Sequence, residues 1–373
     1  MKRFQEWNFG DMLSSRPSRH YLLPALPLGI PAVLVFLVLG LADIGFACTR
    51  ILWNNNKYGV LVARSMDWPE STEPVLWFLP RGMERDGSKC GPETVVKENP
   101  LRWTSKYASL AIGIYGVGTV DGINEKGLGG HLLFLAKTDF GPRDPKKKGV
   151  SAILWLQYVL DQAATVKEAL ALLKNVQPVM IQAHGHDSTI HLALEDKSGD
   201  SAILEYIDGK PKIHQGRQFT IMTNDPPYDD QLALLAKMDF SQPGQNTPVP
   251  GNISAPDRFQ RAAYFSKFFP EPKDMQQAFA TILAAIRGVS VPFGTPYNKL
   301  GDGFPVYNTE YRTVADLTHG VYGFELTTTP NFFWVEFSDF KPEKGQPAMS
   351  LTPGAIDLAG DVSAQFKPAS PPF

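Results

Sequence analysis

The sequence predicts an α+β protein built on mainly antiparallel sheets. Three observations carry that reading. Segments rich in β-formers and segments with helical spacing come in groups, not in strict strand–helix alternation, which argues against a doubly wound parallel sheet. The composition is that of an ordinary globular chain: of 373 residues, 43% are hydrophobic and 20% charged, with a formal net charge of −2. Behind an N-terminal apolar run, the chain is long enough for one large core or two domains, with no internal repeat and no linker to divide it. The absence of a basic excess gives no reason to expect nucleic acid as a partner.

At the N-terminus, Lys2, Arg3, Arg16 and Arg19 precede an apolar block whose core is residues 32–39. Small residues follow, with Gly45 and Ala47 just ahead of Cys48. This is the layout of a secretory signal peptide, residues 1–47, cleaved before Cys48. It predicts an exported protein, periplasmic or secreted, without stable membrane association after cleavage. The mature part, residues 48–373, reads as a single domain with an irregular C-terminal tail. The charged n-region is long, and Met12 is an alternative start. Two other readings stand beside this one. Residues 22–41 are long enough to span a bilayer, although Pro24, Pro27 and Pro31 interrupt their start. Cys48 also fits a lipidated cysteine, yet Gly45 sits where a lipoprotein signal usually has Leu.

Next come two β-rich segments, residues 49–53 and 58–63, around the turn-forming run Asn54-Asn55-Asn56-Lys57. A hairpin centred on Asn56 pairs positions whose numbers sum to 112, and so sets Cys48 opposite Arg64. Opposite residues share a face, so the guanidinium would favour the thiolate. Asp67 lies three residues on, where a regular strand aims it away from Arg64; it joins the site only if the strand bends near Met66. A thiol and a free α-amine both change state near neutral pH. An N-terminal Cys thus carries its own base, the arrangement used to cleave amides. The bland reading is a buried Cys, a surface Arg and a strand-end Asp.

Residues 110–115 read as a strand that Gly116, Gly118 and Gly122 break, with 121–128 a tight turn into another strand. The glycines match no dinucleotide or phosphate-loop fingerprint. Residues 152–163 have a helical apolar face, and Thr165-Val166-Lys167-Glu168 is a capping box that opens a helix through Lys174. Strands follow at 189–194, 202–207 and 219–223, helices at 229–238, 258–269 and 274–286, and strands again at 323–328 and 332–337. Residues 242–250 read as a loop, and the tail after Lys341 as irregular. His184, His186, Asp187 and His191 fit no zinc signature and read as a loop with solvated histidines. Cys90 has no obvious disulfide partner. Asn224 ends a strand and suits either an oxyanion donor or an ordinary turn. Arg258 opens a helix and either holds the site or lies on the surface.

Together these pieces resemble the choloylglycine hydrolase family of linear amide C–N hydrolases, which includes penicillin V acylases and bile salt hydrolases. The matching stretches are Cys48-Thr49-Arg50, Arg64-Ser65-Met66-Asp67-Trp68, Asn124-Glu125-Lys126-Gly127-Leu128, Met222-Thr223-Asn224-Asp225-Pro226 and Ser254-Ala255-Pro256-Asp257-Arg258-Phe259. The resemblance implies a four-layer αββα N-terminal-nucleophile hydrolase sandwich with two mainly antiparallel sheets. It implies Cys48 as nucleophile with its α-amine as proton carrier, and Arg64 stabilising the thiolate or positioning substrate. It further implies Asp67 binding the amine, Asn224 donating to the oxyanion and Arg258 holding the network. Family members generally need no metal or cofactor, and many are tetramers. Phe134 departs from the pattern, standing where the family usually has Asn or Tyr; it offers the oxyanion only a backbone N–H. That departure, with the export signal, resembles the Gram-negative branch, whose expected small-molecule acyl-amide substrates are penicillin V and long-chain N-acyl-homoserine lactones. Trp68, Trp77 and Phe134 are candidates for an apolar acyl pocket, or simply core. The alternatives are a conjugated bile salt hydrolase and a membrane-tethered or lipidated binding protein without catalysis.

Overall fold

The computed structural model describes residues 47–183, 185–296, 308–329 and 331–373. The signal peptide expected over 1–47, like the bilayer span read over 22–41, lies outside the described residues except for Ala47. The hairpin of strands Ala47–Trp53 and Leu61–Trp68 comes first. Its turn is closed by Asn56, whose Oδ1 accepts from the Tyr58 and Gly59 amides at 2.9 and 3.1 Å and whose Nδ2 donates to the Gly59 carbonyl at 2.8 Å. That closure consumes residues 54–60, so the second strand begins at Leu61, not at 58. The register therefore sums to 114: Cys48 pairs with Met66, and Arg50 with Arg64. The expected pairing of Cys48 with Arg64 is corrected by two positions.

Among the described residues the strands form two large, mainly antiparallel sheets. The seven-stranded sheet runs Ile221–Met222, Ala47–Trp53, Leu61–Trp68, Asn308–Asp316, Val321–Leu326, Phe332–Glu336, Gly360–Asp361. The nine-stranded sheet runs Lys210–Gln215, Ser201–Ile207, Ile190–Asp196, Leu128–Phe134, Gly118–Asn124, Ser109–Ile114, Val75–Leu79, Met349–Leu351, Lys367–Pro368. Their inner faces meet in one continuous core. Helices Ala255–Lys267 and Met275–Gly288 cover the hairpin's other side, while Trp155–Gln162 and Val166–Leu173 cover the nine-stranded sheet. The result is four layers, helix–sheet–sheet–helix.

The helix starts follow local chemistry. Thr165 accepts from the Glu168 amide at 3.2 Å, Ser254 from Asp257 at 3.3 Å and Asp274 from Gln277 at 2.7 Å, each satisfying an amide the first turn leaves without a partner. Three expectations are corrected and one unread strand is added. Gly118–Asn124 is a buried strand, not a break and turn; a Cβ at Gly122 would lie 2.6 Å from the Leu110 carbonyl, so the glycine marks close strand approach. Asn308–Asp316, unread in the sequence, is a strand of the seven-stranded sheet. Residues 219–223 supply only the short strand Ile221–Met222. The tail after Lys341 is not irregular: it adds Met349–Leu351 and Lys367–Pro368 to one sheet and Gly360–Asp361 to the other.

Candidate active site

Strand alternation sends Cys48, Arg50, Arg64 and Met66 to the inner face of the hairpin, because a shift of two positions preserves side. Arg64 thus still meets the thiol, diagonally: its Nη2 lies 3.8 Å from Cys48 Sγ. The same nitrogen donates to the Leu132 carbonyl at 3.3 Å, and Nη1 donates to Tyr311 Oη at 2.9 Å. Met66 Sδ is 3.8 Å from the thiol. Cys48 is 2% exposed. Burial pushes its thiol up, the neighbouring Arg64 pulls it down, and the Asp67 carboxylate adds a further upward push.

The outer face carries Thr49, Ser65 and Asp67. The second strand stays regular through Trp68, so Asp67 points away from Arg64. Its Oδ1 accepts from Thr309 Oγ1 at 2.5 Å, and its Oδ2 from Ser65 Oγ at 3.3 Å. Arg258 Nη1 stands 3.6 Å from the same Oδ2. Burial pushes the Asp67 carboxyl up, against the pull of Arg258 and Thr309. Arg258 is fully buried and not on the surface. Its guanidinium donates to the Cys48 carbonyl at 2.6 Å, to Thr49 Oγ1, and to Asn224 Oδ1 at 3.0 Å. One arginine thereby ties together the backbone of Cys48, Asp67 and Asn224.

The nitrogen of Cys48 donates to Asn224 Oδ1, so with Ala47 attached it is Asn224, and not Asp67, that meets it. Asn224 Nδ2 donates one hydrogen to the Phe134 carbonyl at 2.8 Å. Its second N–H completes the donor set of the amide. Just before it, the Thr223 carbonyl is held by His191 Nε2 at 2.8 Å, while Nδ1 of the same ring meets Glu205 at 3.0 Å. His191 is therefore buried and structural, correcting its reading as a solvated loop histidine.

The thiol opens onto a cleft of about 660 Å³, mouth included, walled mainly by Trp68, Ile114, Tyr115, Leu132 and Phe134. Trp68 and Phe134 meet edge to face at 6.4 Å, and Trp68 Nε1 donates to Tyr115 Oη at 2.9 Å. His186 stands at the same cleft, its ring 5.2 Å from Trp68; His184 lies outside the described residues. Trp77 is corrected. Its neighbours Leu76 and Phe78 face the main core, so alternation turns Trp77 to the sheet's far side, against Leu79, Ala348 and Phe373. Cys90 is buried and free. Among the described residues no group of His, Cys, Asp or Glu side chains is arranged to hold a metal, and no helix is long and apolar enough to cross a membrane.

The structure therefore gathers Cys48, Arg64, Asp67, Asn224, Arg258, Trp68 and Phe134, and leaves Trp77 out. Sequence reasoning missed Met66, Tyr115, Thr309 and Tyr311 as members of the cluster. For the last two the available signal was the β-former content of Tyr311, Thr313 and Val314, diluted by Asn308, Glu310 and Arg312.

Comparison with known proteins follows the same lines. The profile of the linear amide C–N hydrolases, choloylglycine hydrolase family, matches residues 48–342. A penicillin V acylase of Pectobacterium atrosepticum is 38% identical over 368 residues, covering 91% of this chain and 94% of the relative. The solved structure of a penicillin V acylase from Agrobacterium tumefaciens aligns with a TM-score of 0.76 at 39% identity, over 87% of this chain and 98% of that one. A variant of the conjugated bile acid hydrolase from Clostridium perfringens shares the fold, with a TM-score of 0.70 at 22% identity over 84% of this chain and 98% of its own.

Proposed function

The chain belongs to the choloylglycine hydrolase family of linear amide C–N hydrolases, and on that premise we propose that it is an exported N-terminal cysteine amidohydrolase for amides with an apolar or aromatic acyl group. Its fold is the four-layer αββα sandwich of N-terminal-nucleophile hydrolases. The observation that carries the proposal is Cys48: its thiol faces an apolar cleft with Arg64 at 3.8 Å, and the family match begins at this residue. Export is read from the layout of residues 1–47.

In this reading, removal of residues 1–47 frees the Cys48 α-amine. The amine takes the thiol proton, the thiolate attacks the carbonyl carbon, and a C–S bond forms as the C–N bond breaks. The proton passes from the amine to the departing nitrogen. Water then attacks the thioester; a C–O bond forms, the C–S bond breaks, and a water proton returns to sulfur by the same amine. Asn224 Oδ1 holds the amine, and its second N–H serves the oxyanion beside the Phe134 backbone. Asp67 supplies the negative charge that steadies the ammonium form, and Arg258 fixes the Cys48 carbonyl. Trp68 and Phe134 receive the acyl group.

The apolar lining of the cleft and the likeness to penicillin V acylases favour penicillin V or a long-chain N-acyl-homoserine lactone over conjugated bile salts. Two experiments test this. A chain beginning Met-Cys48, whose Met is removed in the cytoplasm, is expected to be active; one that keeps Lys-Ala ahead of Cys48 is not, with intact mass reporting each N-terminus. Full activity with residues retained ahead of Cys48 would overturn the α-amine mechanism. In a kcat/KM ranking of penicillin V, a long-chain acyl-homoserine lactone and glycocholate, the bile salt is expected last; a clear first place for it would overturn the substrate assignment.

A further inference from the structure

Between the two sheets runs a row of buried charges of which the proposed mechanism uses only the last. Arg50 Nη2 lies 2.5 Å from Glu195 Oε2. Glu195 Oε1 lies 2.8 Å from His131 Nε2, and His131 Nδ1 lies 2.9 Å from Asp121 Oδ2. That oxygen stands 3.6 Å from Arg64 Nη1, whose guanidinium reaches the Cys48 thiol through Nη2. All five side chains are at most 2% exposed. The signs alternate from Arg50 to Arg64.

The row is built. Gly129 pairs with Glu195, and a Cβ there would sit 2.6 Å from Glu195 Oε1, so only glycine leaves room for the carboxylate to reach His131. Asp121 accepts further from Thr313 Oγ1 at 3.1 Å and from Tyr322 Oη. Arg50 donates to Ser201 Oγ at 3.1 Å and to the Phe219 carbonyl at 3.0 Å. Carboxylates flank both ring nitrogens of His131: Nδ1 is hydrogen-bonded to Asp121, and Nε2 stands 2.8 Å from Glu195 Oε1 without hydrogen-bond geometry, so the ring lies between two negative charges that favour its protonated form. Around the ring stand Asp121 and Glu195 on the flanking strands, Arg64 and Arg50 on the facing sheet, Tyr322 and Tyr311 beyond Asp121, and the His191–Glu205 pair two residues along the neighbouring strands. The carboxylates lift His131 to about 9.

We propose that His131 is a positioning residue for Cys48: its imidazolium completes a sign-alternating row with one positive charge in excess, and the Cys48 thiolate is the anion that closes it. This rests on Cys48 being the nucleophile. With a neutral side chain at position 131 the row is already balanced. Asp121 then has only Arg64 to answer it, and a thiolate adds an uncompensated negative charge to a layer that water does not screen.

The test is the pH dependence of Cys48 alkylation by iodoacetamide on the full chain, where the Cys48 nitrogen is an amide and only the thiol titrates. Peptide mass separates Cys48 from Cys90. His131→Gln is expected to raise the midpoint by about one pH unit. The double variant His131→Gln/Glu195→Gln, which restores the single positive excess, is expected to move it most of the way back. A purely structural role predicts the reverse, since the double variant loses two partners. An unchanged midpoint in the single variant, or a larger displacement in the double, overturns the proposal. Should His131→Gln not fold, the ring ¹⁵N shifts of His131 in the unaltered protein decide: both nitrogens protonated at pH 7 is expected, and a neutral ring overturns it. Full turnover by Cys48→Ser would instead remove the nucleophile reading and leave these titrations unaffected.

Discussion

The two faces of the first hairpin meet the same residue in different ways. On the inner face, Cys48 Sγ stands at the end of a row of paired charges that spans both sheets. On the outer face Arg258, itself held by Asp67 and Thr49, grips the Cys48 carbonyl, and Asn224 meets its nitrogen. Period-two alternation makes this division unavoidable, because neighbouring residues on one strand cannot share a side. The inner face therefore sets the Arg64 cation beside the sulfur, and the outer face holds the chain and its nitrogen while its Asp67 carboxylate pushes the thiol the opposite way.

The largest expected effect asks whether both faces serve one atom. Cys48→Ser should lower turnover by at least about 10³-fold with the fold retained, since a hydroxyl is a far poorer nucleophile than a thiolate at neutral pH. Steady-state kinetics with a thermal melt checks it; near-full turnover would dissolve the comparison. Next comes Arg64→Ala, expected to lower kcat by about 10²-fold and to cost about 3–5 kcal/mol of stability, because Asp121 loses a buried partner. Asp67→Asn sharpens the contrast. It too should lower kcat more than it raises KM. The sign at sulfur differs, however: losing Arg64 raises the midpoint of Cys48 alkylation, and losing the Asp67 charge lowers it. Shifts in the same direction would show that the two faces do not oppose each other at the sulfur.

Much of this was legible in sequence, for physical reasons that differ by residue. The hairpin register was off by two positions, yet Arg64 still fell on the thiol's side, because parity survives an even shift. Asp121 escaped notice because Asp-Gly is a strong hairpin-turn signal, and nothing local reveals that this glycine serves strand contact instead. Trp77 looked like Trp68, since which side of a sheet lines a cleft depends on partners remote in sequence. Arg258 could be named from its motif but not buried: its partners Cys48 and Thr49 lie about 210 residues away.

A smaller effect separates the two tryptophans. Trp68→Ala should change KM for the acyl group, whereas Trp77→Ala should leave KM alone and cost about 3–5 kcal/mol in stability. Equal KM effects would return Trp77 to the cleft. The smallest concerns the inner row as a stability element. His131 goes from 6.5 to about 9 on folding, so its contribution is complete below pH 6.5 and is lost as pH rises through 9. Glu195 goes from 4.5 to about 2, so its contribution is complete above pH 4.5 and is lost as pH falls toward 2. Melting temperature should thus plateau between about pH 4.5 and 6.5, and His131→Gln should flatten the alkaline decline. An unchanged alkaline slope in that variant would mean the row does not carry it.

The strand beside the one that bears Arg64 and Asp67 arrives late in the chain: Thr309 stands 242 positions after Asp67. A ribosome therefore delivers Cys48 early and its enclosure last. Until the Asn308–Asp316 strand is made and seated, the thiol has neither Tyr311 beneath its arginine nor a finished seam between the sheets to exclude water. Long-range pairing of this kind is slow to form. Before that strand pairs, the hairpin has an open edge available to oxidants and to other chains. Helper proteins and reducing conditions should accordingly matter most for this molecule before its final fifth is complete.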